Sequence, residues 1–197
     1  LSQNFATAHD AYNVGVGHNA GQQITTGTQN TLIGGLAGDA LTATDYNVAV
    51  GYAALGNEQL GARNVAVGRS ALQAQRSTTA TQSYNAALGY AAGADISTGI
   101  QNTLAGGLAG DALTDADQNV AFGVTALGQD TLGSRSTAIG TNALSDQNFT
   151  TATNTYSTAV GYNAGAATTT GQSNTLIGAL CGDSLTTGTN NVGVGVH

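Results

Sequence analysis

The chain has 197 residues, of which only 8% are charged, against roughly 25% in an ordinary soluble domain. It contains 29 Gly, seven Tyr and three Phe but no Pro, Met or Trp, which excludes a conventional core of large side chains. Eleven acids against four basic residues, all of them Arg, give a net charge of −7; no basic cluster exists to neutralise a row of phosphates, so nucleic acid is not an expected partner.

The chain opens at Leu1–Ala11 with part of a polar loop that includes the pair His9-Asp10. From there a five-residue motif recurs to the end: Asn or Ser, three small or apolar residues, then Gly. Its closing glycines are Gly17, Gly34, Gly51, Gly68, Gly89, Gly106, Gly123, Gly140, Gly161, Gly178 and Gly195, spaced by 17 residues except for two steps of 21. Three short steps and one long one make a second period of 72. Gly27–Thr42 and Gly99–Thr114 match at 14 of 16 positions, and Gly171–Thr186 is a third copy. Tyr12, Tyr84 and Tyr156 fall at the same interval. No composition shift interrupts the array, so residues 1–197 read as one continuous repeat domain, a fragment of something longer.

Seventeen residues are too few for a helix pair or a propeller blade but suit one turn of a β-solenoid. Each copy has a short β-rich run, such as Asn47-Val48-Ala49-Val50-Gly51 or Ser136-Thr137-Ala138-Ile139-Gly140, followed by turn signals such as Gly56-Asn57 and Thr187-Gly188. Thr, Asn, Gly and β-branched residues dominate, which disfavours helix. The fold expected is an all-β parallel solenoid of about eleven coils, roughly 50 Å long at ~4.8 Å per coil.

Positions within a coil are numbered here from the motif Gly. Position −1 (Val16, Ile33, Val50, Val67 and so on to Val194) is always apolar, and −3 is Val, Thr or Ala. These two share one face of the strand and are assigned to the core. Position −2 then faces outward, yet it holds only Gly, Ala or Leu. An apolar run on both faces means burial on both. The second face is therefore expected to meet another chain, with Leu32, Leu104, Leu176, Ala49 and Ala121 as contacts. Position −4 is Asn in nine coils and Ser at Ser136 and Ser157, a pattern that suits hydrogen-bonded ladders along parallel strands. Position +3 is Ala, with Cys181 as the exception; this single cysteine reads as a small buried residue.

Segments such as Asn47-VAVGYAAL-Leu55, Ser136-TAIGTNAL-Leu144 and Ser157-TAVGYNAG-Gly165 resemble the head repeats of YadA-like trimeric autotransporter adhesins and the related repeats of bacteriophage tail fibres and bacterial surface fibres. The resemblance implies a left-handed parallel β-roll, three chains packed about one axis, and an extracellular place on a cell surface or virion. Coils of 17 and 21 residues are longer than the family's coil, and no stalk or anchor accompanies them. The resemblance implies a homotrimeric fibre segment used for attachment, with a cell-surface or glycan receptor; no run approaches the roughly 18 apolar residues that span a bilayer, so no membrane insertion is expected in this segment.

Other chemistry finds little support. The run Gly34-Gly35-Leu36-Ala37-Gly38-Asp39, with copies at Asp111 and Asp183, superficially matches a calcium nonapeptide, but it returns every 72 residues, not every nine. One turn supplies too few oxygens for calcium, so no metal or other cofactor is expected. The three histidines do not recur, and no base stands near a nucleophile and an orienting acid, so no catalytic residue is assigned. Recognition is placed on the enlarged loops of the long coils, Gln73–Ser83 and Ser145–Thr155: Thr78, Thr79, Thr81, Gln82, Thr150, Thr151, Thr153 and Asn154. Alternative functions are a monomeric ice-binding solenoid, although its Thr residues keep to no single column, and a non-catalytic part of a polysaccharide-degrading tail spike.

Overall fold

The computed structural model describes residues 10–196; His9 and His197 lie outside them, as does most of the partial first loop. The chain is a parallel β-solenoid of eleven turns without a described helix. Each turn contributes one three-residue strand, from Val14–Val16 and Thr31–Ile33 through Val48–Val50, Val65–Val67, Ala86–Leu88 and onward to Val192–Val194. These form one eleven-stranded parallel sheet in which every strand pairs with the next in sequence. Its register follows the motif spacing: Val50 pairs with Val67, while across a long coil Val67 pairs with Leu88. Two smaller pairs, Gly61–Ala62 with Thr81–Gln82 and Gly133–Ser134 with Thr153–Asn154, bring each long coil back onto the coil before it.

The motif Gly is required by how closely the coils approach. It adopts φ between +127° and +142°, a region unfavourable for L side chains. A Cβ on Gly106 would also lie 2.3 Å from the carbonyl oxygen of Gly123 in the next coil, and the same clash recurs along the stack. The Asn column works as the expected ladder, and between the end coils, from Asn30 to Asn174, it is buried. Asn47 Oδ1 accepts from the backbone N–H of Asn64 at 3.0 Å, and Asn30 Oδ1 from that of Asn47 at 3.0 Å. The amide nitrogens cross the coil instead, as when Asn102 Nδ2 donates to the Ala116 carbonyl at 2.7 Å. The +3 column is buried throughout, from Ala20 and Ala37 to Cys181.

The inward and outward assignments of the strand are reversed relative to the sequence expectation. Position −2 faces inward: Leu32, Ala49, Ala66, Leu104, Ala121, Ala138 and Leu176 are all buried inside their own chain. Leu32, Leu104, Leu176, Ala49 and Ala121 therefore present no side chain to a partner. Positions −1 and −3 face outward, with Leu88 57% and Phe122 60% exposed. The reason is pleat parity: the buried Asn at −4 must share its face with −2.

The interior admits at most two large side chains per turn, and three columns share the space. Position +7 is Leu41 in a coil with Leu32 at −2 and Gly38 at +4, where a Cβ would lie 2.7 Å from Leu41 and 2.8 Å from Leu32 side-chain atoms. Where +7 is Glu, Gln or Asp, +4 becomes a buried Leu: Leu55 with Glu58, Leu72 with Gln75, Leu127 with Asp130, Leu144 with Gln147; the smaller buried Thr168 at +7 keeps Gly165 at +4. Adjacent substitutions separate the two faces. Ala121→Asp is expected to unfold the chain, a loss of more than about 4 kcal/mol, while Phe122→Asp leaves single-chain stability within about 1 kcal/mol. Thermal melts followed by circular dichroism check this, and equal effects of the two would contradict the assignment.

Candidate functional site: the outer face of the sheet

No cleft gathers reactive groups. Among the described residues, no three His, Cys, Asp or Glu side chains come together. No helix among the described residues is long and apolar enough to cross a membrane. Asp39 and Asp111, the acids of the calcium-like run, lie next to Gly56 and Gly128, and Asp111 lines a shallow groove with Asp146. Burial pushes the Asp39 carboxyl above its ordinary value, opposed by its own N–H and that of Ala40. The same burial raises Asp111, opposed by its own N–H and reinforced by the negative charge of Asp95.

The extended surface is the outer face of the eleven-stranded sheet. Its strand columns present Val48, Val50, Val65, Val67, Leu88, Phe122, Ile139 and Ile177 side by side at ~4.8 Å intervals. Two rims border this apolar stripe. On the rim at −5 stand Tyr46, Arg63, Tyr84, Gln101, Gln118, Arg135 and Tyr156, where every residue has positive φ (Arg63 +63°, Tyr84 +52°) and turns outward as the chain enters the strand. They stack: the Arg63 guanidinium lies 4.9 Å from the Tyr46 ring centroid and 5.8 Å from that of Tyr84. Arg135 donates to Gln118 Oε1 at 2.8 Å and to the Tyr156 hydroxyl at 3.1 Å, and Gln118 donates to Gln101 at 2.9 Å. On the +1 rim, Arg69 lies 5.7 Å from the Tyr90 ring, with Tyr52 and Tyr162 in the same column.

The loops assigned to recognition are partly reabsorbed into the coil. Thr78, Thr79, Thr150, Thr151, Gln82 and Asn154 are exposed, but Thr81–Gln82 and Thr153–Asn154 are paired strands. Thr81 Oγ1 bonds back to the Thr79 carbonyl at 3.0 Å and Thr153 Oγ1 to that of Thr151 at 2.9 Å, so the two loops share one conformation. Only the tips at 78–80 and 150–152 project. Beneath each loop lies a buried acid that sequence reading missed. Glu58 Oε1 accepts from the N–H of Gln59, Leu60, Gly61 and Ser77, and Glu58 Oε2 from the Ser77 hydroxyl. Asp130 accepts from the N–H of Gly133 and Phe149 and from Gln147 Nε2 at 2.6 Å. Their signal was available: Glu58/Asp130 and Gln75/Gln147 each recur at 72 residues. The chain matches no protein-family model, no curated protein and no solved structure.

Asp130→Ala would leave three buried donors without an acceptor, at a cost of about 1–3 kcal/mol each before relaxation. The expected result in urea unfolding is a loss of several kcal/mol, with proteolysis beginning in 145–155; wild-type stability would contradict the anchoring role. Asp39 and Asp111 predict the opposite sign. Because their folded values are raised, the ionised carboxylates weaken the fold at neutral pH, and that penalty disappears as pH falls through the raised value. Asp111→Asn is thus expected to raise the melting temperature at pH 7, with the gain lost by about pH 4; a gain of equal size at both would refute the assignment.

Proposed function

We propose that this chain is the repetitive segment of a homotrimeric extracellular fibre used for attachment, an adhesin head or shaft or a phage tail-fibre shaft. The supporting observation is the outer face of the sheet. The strip between the Tyr and Arg rims, made of three-residue strands, spans roughly 50 Å by 10 Å, on the order of 500 Å², and the face with its rims about twice that. A standard interface needs about 800 Å² per partner, and an exposed apolar patch above a few hundred Å² marks an interaction site. Apolar centre, aromatic and Arg border, and absence of acids match the make-up of protein interfaces.

A second copy of the chain suits this face because the two rims carry the same residue type in four of the eleven coils. Tyr46 and Tyr52 share one coil, Arg63 and Arg69 the next, Tyr84 and Tyr90 the next, and Tyr156 and Tyr162 a later one. In a parallel cyclic assembly the −5 rim of one chain meets the +1 rim of its neighbour at equal height. An antiparallel pair sets each rim against itself and gives no reason for the match. The number three and the extracellular setting rest on the resemblance to adhesin and tail-fibre repeats. An ice-binding role is less well supported: Thr31, Thr103, Thr137, Thr158 and Thr175 share the −3 column with Val and Ala, and the neighbouring −1 column is apolar throughout, so the face carries no regular Thr lattice.

Multi-angle light scattering behind size exclusion tests the assembly. The expected mass is three times that of the 19.4 kDa chain, falling to the single-chain value in Phe122→Asp/Ile139→Asp. A wild-type chain that stays monomeric would overturn the proposal.

A further inference from the structure

The Asn ladder breaks at the first long coil. In the short coils the side-chain nitrogen at −4 crosses to the carbonyl 14 residues on, as from Asn47 to Gly61 at 3.1 Å, Asn85 to Gly99 at 2.7 Å and Asn119 to Gly133 at 2.9 Å. Asn64 opens a long coil, whose four extra residues displace that carbonyl, and its Nδ2 is buried without a hydrogen-bond partner. Gln75 Nε2 and Ser83 Oγ of the same coil are buried and unpartnered too. Asn85 brings the two amides to one corner: its N–H donates to Asn64 Oδ1 at 3.1 Å and its Nδ2 to Gln75 Oε1 at 3.2 Å. Both oxygens are thus engaged, and turning either amide over would set donor against donor. Buried donors left unmet are costly, so this corner calls for an acceptor.

The second long coil has the same corner 72 residues on, built from other side chains. Asp130, Ser136, Gln147, Phe149 and Thr155 stand where the first has Glu58, Asn64, Gln75, Ser77 and Ser83. There the corner closes on itself. Gln147 Nε2 donates to Asp130 Oδ2 at 2.6 Å and to Ser136 Oγ at 2.9 Å, and Ser136 Oγ pairs with Thr155 Oγ1. Its one unmet atom, Gln147 Oε1, offers a water a single bond where two to four are needed. The first corner does not close this way. Ser77 turns its hydroxyl to Glu58 where the second coil buries the Phe149 ring, and Ser83 is a methyl smaller than Thr155, which leaves more room beside the amides. Whatever meets Asn64 and Gln75 must accept from both, next to a carboxylate that disfavours a second negative charge. Water does so without charge, and three partners are the usual number for a buried one. We infer that the first long coil encloses a water molecule that accepts from Asn64 Nδ2 and Gln75 Nε2 and donates to Ser83 Oγ. It ties the floor of the 73–83 loop as direct bonds tie that of 145–155. The inference is independent of the attachment role proposed above.

Crystallography of the intact chain, at a resolution that shows ordered solvent, tests it. The expected result is a peak refining as water within hydrogen-bond distance of Asn64 Nδ2, Gln75 Nε2 and Ser83 Oγ, with none enclosed among Ser136, Gln147 and Thr155. Asn64→Ser/Ser77→Phe/Ser83→Thr gives the first corner side chains of the second and is expected to lose the peak. The wild-type map decides by itself if that variant fails to fold. No solvent peak between the two amides, a peak that survives in the triple variant, or an anomalous signal at the site in bromide-soaked crystals, which marks an anion, would overturn the inference.

Discussion

Every coil must lie directly on the next at strand spacing, and the tightest point of that stack is the motif glycine. Its α-carbon sits over the carbonyl of the glycine in the following coil, with no room for a Cβ. Once that contact is fixed, the three-residue strand, the Asn ladder and the +3 Ala column follow in register. The narrow bore has a further consequence. Each turn holds at most two large side chains, and the chain keeps its cross-section nearly constant by moving them among −2, +4 and +7. Leu32 with Gly38 and Leu41, then Ala49 with Leu55 and Glu58, are successive solutions to one volume constraint.

The same constraint explains where the chain departs from its regular coil. A buried acid appears at +7 in the coil preceding each long one, and its oxygens collect backbone N–H groups from both coils. A carboxylate saturated by such donors tolerates burial that a bare charge does not. Glu58 and Asp130 thus act as internal brackets for the four extra residues. The two copies differ in detail: the longer Glu58 reaches the Ser77 hydroxyl, while the shorter Asp130 takes Gln147 Nε2 instead. Because the brackets pull the insertion inward, little of it projects, which shifts attention to the sheet face and its rims.

Much of this was legible in the sequence because a solenoid turns periodicity into contact. The eleven glycines set the register, the Asn/Ser column announced its ladder, and the composition excluded any fold with a large-residue core. The inward direction of the strand was misread because both faces are apolar, so hydrophobicity alone could not orient it. The Asn at −4 held the missing information: a buried amide needs its ladder inside, and −2 shares its parity. The +4/+7 exchange is visible in the letters, as Gly with Leu or Leu with Glu, but acquires meaning only once both columns are known to face one bore. The cation-bearing rims were invisible to a search for basic clusters, because Arg63 and Arg69 are six residues apart and their partners come from coils above and below.

The central claim is that the outer face, apolar and free of acids, is covered by other copies of the chain in solution. Hydroxyl-radical footprinting with mass spectrometry reads this residue by residue. Leu88, Phe122 and Ile177 are exposed on the single chain, while Phe149, only 6% exposed, serves as the buried reference. The account predicts that all three label as slowly as Phe149 in the wild-type protein and rapidly in a variant whose mass is that of one chain. Rapid labelling of Leu88, Phe122 and Ile177 in the wild-type protein would contradict it.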